Sequence, residues 1–260
     1  MKATRKAMQP VAIARVGASV LLVLGSLLAC PMVLAGTPTA DDLFHQGTEA
    51  YVAGGFEQSA MLFRDAAAAA RSAGTLHNLG NAEWQRGHPG PAIVAWERAQ
   101  WLDPFSRDTR ANLRFARKAA QLETPELSWY EICSTWLPVN AWGWLATVSF
   151  WTAAAMVLLP AVLRWRKADW QQGLATAGFA VFLLTLPALA GVQARSRLGI
   201  LLPKETPLRL TPTREAQILA KLPSGEMARR ERERGDYVFI RASGASGWVE
   251  KSQFGLIADE

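Results

Sequence analysis

The chain has 260 residues, with 28 Lys+Arg against 22 Asp+Glu, a formal charge of +6 and a pI near 9.7. Half of the residues are hydrophobic and only 19% are charged, a balance that excludes disorder as the general state. Two cysteines, neither in a C-x-x-C nor in a Cys–His spacing, exclude a disulfide framework and a zinc ribbon; no metal and no cofactor are expected.

The excess of base is unevenly spread. Residues 1–35 carry Lys2, Arg5, Lys6 and Arg15 and no acid, residues 36–137 sum to −3, and residues 198–260 sum to +1. The remainder sits in 164–172, where Arg164, Arg166 and Lys167 face one acid, Asp169, and at Arg195 and Arg197. Base concentrated beside apolar runs is the pattern of membrane topology signals. A nucleic-acid footprint would need a basic stripe on a folded domain, so no nucleic-acid partner is expected.

The first element in chain order is an export segment. An apolar run over 16–28 follows the basic start, and Val33 and Ala35 occupy the positions needed for cleavage before Gly36. Residues 1–35 therefore read as a signal peptide. Cys30, at the end of Leu-Leu-Ala-Cys, offers a second reading as a lipoprotein box, although bulky Leu28 and Pro31 argue against it. An uncleaved anchor would leave the same topology.

Residues 36–135 read as a helical domain with an internal period. Leu76, Leu79, Gly80, Trp84, Gly87, Ala92, Trp96, Ala99 and Pro104 mark one copy. Gly47, Tyr51, Gly54, Phe63 and Ala66 stand 33 residues before Gly80, Trp84, Gly87, Trp96 and Ala99. Asn112 and Leu113 then repeat Asn78 and Leu79, which predicts a further first helix with the run to Leu122 as a cap. Small residues let paired helices approach, large ones fill the space between neighbours, and Gly54 and Gly87 break the chain between helices. The pattern resembles tetratricopeptide (TPR) repeats, two full copies plus a capping helix. That resemblance implies a peptide-binding groove on the first helices, with Tyr51, His77, Asn81, Trp84, Gln85 and Lys118 as its exposed residues. Asn81 would bond a peptide backbone and Trp84 would offer an aromatic platform. Packing of Tyr51 and Trp84 between repeats is the alternative.

Two uncharged runs follow, over 142–163 and 173–192, each about 30 Å long as a helix and so able to cross a bilayer core. Trp136, Trp142 and Trp144 flank one end of the first run and Trp165 and Trp170 the other, as in interfacial aromatic belts. Residues 136–195 are expected to form a transmembrane hairpin with a cytoplasmic loop over 164–172, held inside by Arg164, Arg166 and Lys167. Pro160 and Pro187 are expected near span ends. Arg195 and Arg197 run counter to this orientation; the export signal and the even number of spans outweigh them. No ionisable residue lies within either run, which removes the usual marker of transport.

Residues 196–204 read as a linker, and 205–260 as a small all-β domain. Strands are expected over 208–211, 217–222, 227–232, 237–241 and 247–250, separated by Pro223-Ser224-Gly225, Gly235-Asp236 and the glycine-serine stretch 243–247. Pro207-Leu208-Arg209, Leu222-Pro223-Ser224-Gly225-Glu226, Gly235-Asp236-Tyr237 and Gly247-Trp248-Val249 resemble bacterial SH3-like domains, which implies a partly closed five-stranded barrel. In the run 229–234, Arg230, Arg232 and Arg234 would share one side of a strand. It reads as a mixed-charge edge that discourages strand pairing, or as a contact for anionic polymers.

Catalytic patterns are missing. His45, His77 and His88 stand in no H-E-x-x-H, Cys133 has no nucleophile motif, and no phosphate loop or G-x-S-x-G exists, so the chain is not expected to be an enzyme. With the signal removed, Cys133 would be left for an intermolecular disulfide. The expected fold class is a multidomain membrane protein: α-helical TPR domain, two-helix transmembrane hairpin, small SH3-like barrel. In that order the modules resemble the BatE-type proteins of the Bat (Bacteroides aerotolerance) family. The resemblance implies a multi-pass protein of the bacterial inner membrane, both soluble modules in the periplasm, and von Willebrand factor A-domain Bat proteins as partners. A non-catalytic scaffold in an envelope or aerotolerance complex follows; a peptidoglycan-binding tether or sensor, or a regulator of a wall hydrolase, is the alternative.

Overall fold

Thr39, Ser72 and Ser106 open three helices in the same way, each hydroxyl accepting the backbone N–H three residues on, at 3.2, 3.1 and 3.3 Å. At the first, the Asp42 carboxylate also accepts the Thr39 N–H in a capping box; the Thr39 hydroxyl at 2.7 Å, and then this backbone bond, hold the Asp42 carboxyl below the usual carboxylate range. These helices are α1 (Ala40–Val52), α3 (Ala73–Gln85) and α5 (Arg107–Ala119). Between them lie α2 (Phe56–Ala69) and α4 (Pro89–Leu102). The chain turns through Gly54 at φ +78° and Gly87 at φ +75°, a left-handed conformation that costs glycine little. A computed structural model of the protein describes residues 38–122, 126–162 and 169–258. The expected signal peptide with Cys30, and Arg164, Arg166 and Lys167 of the expected cytoplasmic loop, lie outside them.

Close packing inside each pair follows the repeat. A Cβ on Gly80 would come within 2.5 Å of the Trp96 ring, and one on Gly47 within 3.0 Å of Phe63. Phe63, Ala60 and Ala82 form one buried cluster, and Trp96, Ile93, Leu113 and Ala116 another. A short helix missing from the sequence reading, α6 (Trp129–Ser134), follows, with the Ser128 N–H capped by Glu131 at 2.8 Å.

Two long helices come next, α7 (Val139–Val162) and α8 (Asp169–Arg195), of 24 and 27 residues. Both extend beyond the expected spans, and Pro187 lies inside α8 instead of near its end. Their apolar windows, of mean hydropathy 1.5 and 1.9, are only 22% buried. The core helix of a soluble protein would be mostly covered, so these two are long, apolar and open to the surroundings. They pack antiparallel where Gly178 meets the Ser149 carbonyl and Ala153, and Phe150 meets Phe182 at 5.3 Å. The start of α7 and the end of α8 therefore share one end of the hairpin, where α6 packs on Gly191 of α8 and β1 follows.

The remainder is a seven-stranded antiparallel sheet, in the order β3-β2-β6-β5-β4-β1-β7. Its strands are β1 (Leu198–Leu201), β2 (Glu205–Arg209), β3 (Ile218–Pro223), β4 (Met227–Arg234), β5 (Tyr237–Arg241), β6 (Ser246–Glu250) and β7 (Phe254–Leu256). All five expected strands are present. The linker expected over 196–204 is not: it contains β1, which pairs with both β4 and β7. β1 is buried at all four residues, so it shows no polar alternation, and β7 has only three residues; neither gives a legible period-2 signal. A register shift between Arg230 and Arg232 in β4 also breaks the alternation expected of Arg230, Arg232 and Arg234.

β1 joins the sheet to the helices. Ile200, fully buried, belongs to the cluster of Ile93, Trp96 and Leu113. The turn before β4 presses Gly225, at φ +87°, onto Ile93 and Leu122. Arg98 donates to the Leu256 carbonyl at 2.9 Å. Residues from Thr39 onward form one compact unit.

Candidate functional site

The first helices α3 and α5 lie side by side, linked by polar groups. Asn81 Oδ1 accepts from Asn112 Nδ2 at 2.9 Å and from Trp96 Nε1 at 3.1 Å. One turn away, His77 Nδ1 and Thr109 Oγ1 are 2.8 Å apart. Burial holds the His77 imidazole below its ordinary 6.5, with Asp108 opposing the shift in part. Trp84 packs at 5.8 Å from Trp96 and edge-on at 5.7 Å from Phe115, the latter largely exposed. Tyr51 meets Phe56 edge-on at 5.3 Å and, with Thr48, Phe63, Asn78 and Asn81, lines a cavity of about 80 Å³.

The structure thus brings His77, Asn81 and Trp84 together with α5, and places Tyr51 beside Asn81. Gln85 and Lys118 are exposed, and their side chains make no hydrogen bond or ion pair among the described residues. Trp84 is half-buried between two other rings, so only part of its face is open. Thr109, Asn112, Asn78 and Phe115 were missed as site residues. The signal for two of them was present: Asn78 and Asn112 are the repeated asparagines at a spacing of 34. Asn81 Nδ2 and Asn112 Oδ1 are not used in the bonds above, leaving an amide NH2 to donate and a carbonyl oxygen to accept, the two kinds of partner that an extended peptide backbone needs.

A second polar centre lies behind this face. Glu83, 3% exposed, receives Arg64 at 2.6 Å, Arg86 at 2.8 Å and His88 at 3.1 Å. It ties α2 to α3 and fixes the angle between the pairs. Among the described residues no group of three His, Cys, Asp or Glu gathers as metal ligands.

The basic run of β4 is neutralised in part, at Arg229 and Arg230, and its Glu231 turns to an arginine of β5. Arg229 pairs with Glu131, which is 1% exposed, at 2.7 Å; Arg230 pairs with Glu233 at 2.6 Å; Arg241 pairs with Glu231 at 2.7 Å. On the neighbouring strands Phe239 and Trp248 stack edge-on at 5.4 Å, half-buried and facing outward from the core.

Comparison with known families gives one match: residues 203–254 match the bacterial SH3 domain. The matched residues begin after β1, the strand that docks on α4. No curated protein matches the chain.

Proposed function

We propose that this chain is a non-catalytic scaffold of a bacterial inner membrane, with α1 to α5 acting as a TPR array and the SH3 domain as a second interaction module. The observation that carries the reading is the shared core: Ile200 of the sheet lies among Ile93, Trp96 and Leu113 of the helices. Two binding modules held in one body meet a common partner at high effective concentration, so that weak contacts combine. The open apolar hairpin supports an anchor through the membrane, and the export signal and the charges of 164–172 support periplasmic modules. By resemblance to BatE-type proteins, the partners are von Willebrand factor A-domain membrane proteins. Co-purification in mild detergent followed by mass spectrometry should recover an A-domain protein, and Asn81→Ala with Asn112→Ala should deplete it. Recovery of no A-domain protein would overturn the partner assignment.

The SH3 match favours a second reading, peptidoglycan binding through the face of Phe239 and Trp248. Co-sedimentation of the full chain with purified sacculi tests it; retention abolished by Trp248→Ala, but not by the Asn81 and Asn112 changes, would make the wall the ligand. A reporter fused after Glu260 that works only in the cytoplasm would refute the orientation.

A further inference from the structure

A cleft of about 610 Å³ opens where the helical pairs, the hairpin and the sheet meet. Its charged lining is lopsided: Arg110, Arg114, Arg117 and Arg195 against a single carboxylate, Glu97. Arg117 pairs with Glu97. The nearby Glu131 is taken by Arg229. Arg110 donates only to a backbone carbonyl, that of Pro104, at 2.5 Å. Arg195 donates to Ser134 Oγ at 3.2 Å and lies 4.9 Å over the Trp101 ring, a cation–π contact that leaves its charge in place. Arg114 is exposed and has no partner among the described residues. Three guanidinium groups thus face the cleft without a carboxylate of their own.

The position of the cleft selects the anion. Arg195 is the last residue of α8, and Trp136, 62% exposed, precedes the start of α7 by three residues. The entry to α7 and the exit from α8, which share one end of the hairpin, therefore both contribute to the lining. With the hairpin in a bilayer, the cleft lies at the level of the headgroups, where tryptophan rings and arginines are at home. Apolar lining from Leu113, Leu198 and Met227 continues inward. We infer that this cleft binds the headgroup of an anionic phospholipid, its phosphodiester held by Arg110, Arg114 and Arg195. The inference rests on the membrane reading of the hairpin. It also gives Arg195 a role: the base that opposes the charge rule for topology is held on this side as a ligand.

The test is native mass spectrometry of the full chain in detergent, with added phosphatidylglycerol or phosphatidylcholine. Phosphatidylglycerol should be retained preferentially, and Arg114→Gln and Arg195→Gln should each weaken it about fivefold, the worth of one base near an anionic surface. Arg114→Gln removes no hydrogen bond or ion pair shown among the described residues, and circular dichroism of the variant checks that it folds. Arg234→Gln, on the exposed end of β4, should change nothing. Equal retention of the two lipids, or a preference untouched by the cleft variants, overturns the inference. Displacement by inorganic phosphate at concentrations equal to the lipid would also overturn it, by making the ligand a free anion. Because the readout is in detergent, it is independent of the hairpin's insertion, which alkaline extraction of membranes reports separately.

Discussion

The helices α2 and α4 occupy the same place in successive pairs, yet one has a wet outer face and the other a dry one. Glu57, Met61, Arg64, Asp65 and Ala68 of α2 are all exposed. Their counterparts 33 residues on, Gly90, Val94, Glu97, Arg98 and Trp101, are buried or half-buried. Met61 is 48% exposed where Val94 is 8% exposed. The inner faces do the same work in both, Phe63 on Gly47 and Trp96 on Gly80. A repeat sets contacts within a pair; the outer face of each second helix is free to be written for whatever covers it. On α4 that cover is β1, β7 and the turn at Ser224.

The two copies can be driven apart experimentally, the largest effect being expected where the sheet meets α4. Ile200→Ala empties a fully buried site shared by both modules and should cost about 2–5 kcal/mol, whereas Met61→Ala on the open face should cost little. Denaturant titration in detergent reads both; near-equal costs would mean that β1 does not join the modules energetically. Next, Gly80→Ala should destabilise by about 1–3 kcal/mol, because its Cβ would meet the Trp96 ring at 2.5 Å. Gly47→Ala should cost less, since contact with Phe63 begins at 3.0 Å.

A smaller difference concerns helix starts. The N-cap of α4, His88, makes no side-chain cap, and the Gly90 N–H is instead satisfied by Ser224 Oγ at 3.0 Å. Ser224→Ala should therefore cost about 1 kcal/mol and loosen the start of α4, seen as faster amide exchange there, while that of α2 stays unchanged.

The smallest expected effect is a pH dependence confined to the second copy. His77 has Phe44 as its counterpart in the first. Burial lowers the His77 pKa below 6.5, so the unfolded chain takes up this proton first as pH falls. The contribution is fully present above about pH 6.5 and is lost progressively below it, until the folded ring itself titrates. His77→Gln should flatten this part of the stability profile below pH 6.5; an unchanged slope would assign it elsewhere.

Much of the fold was legible because its signals are local. Gly54 and Gly87 punctuate helices within a few residues, and the spacing of Phe63 and Trp96 exposes the repeat. The pairs Phe150–Phe182 and Gly178–Ser149 explain only how α7 and α8 meet; their length and lack of charge already marked them. The candidate groove was legible in part. Asn81 and His77 were found from their place on a first helix, but their partners Asn112 and Thr109 depend on how α3 and α5 lie together.

The amino-acid order alone determined the periods: 33 residues in the helices, two uncharged runs, and five strands set off by glycine turns. Each follows from interactions between residues close in the chain. Tertiary structure alone decided that 198–201 is a strand, that Ser224 caps a helix 134 residues before it, and that Arg195 faces the cleft over Trp101. Such features have no period, because each is a contact between surfaces that meet only once the chain has folded. The pI near 9.7 divides the same way. Most of its excess base stands beside apolar runs and can be read in place, whereas the arginines of the cleft come together only in the folded chain.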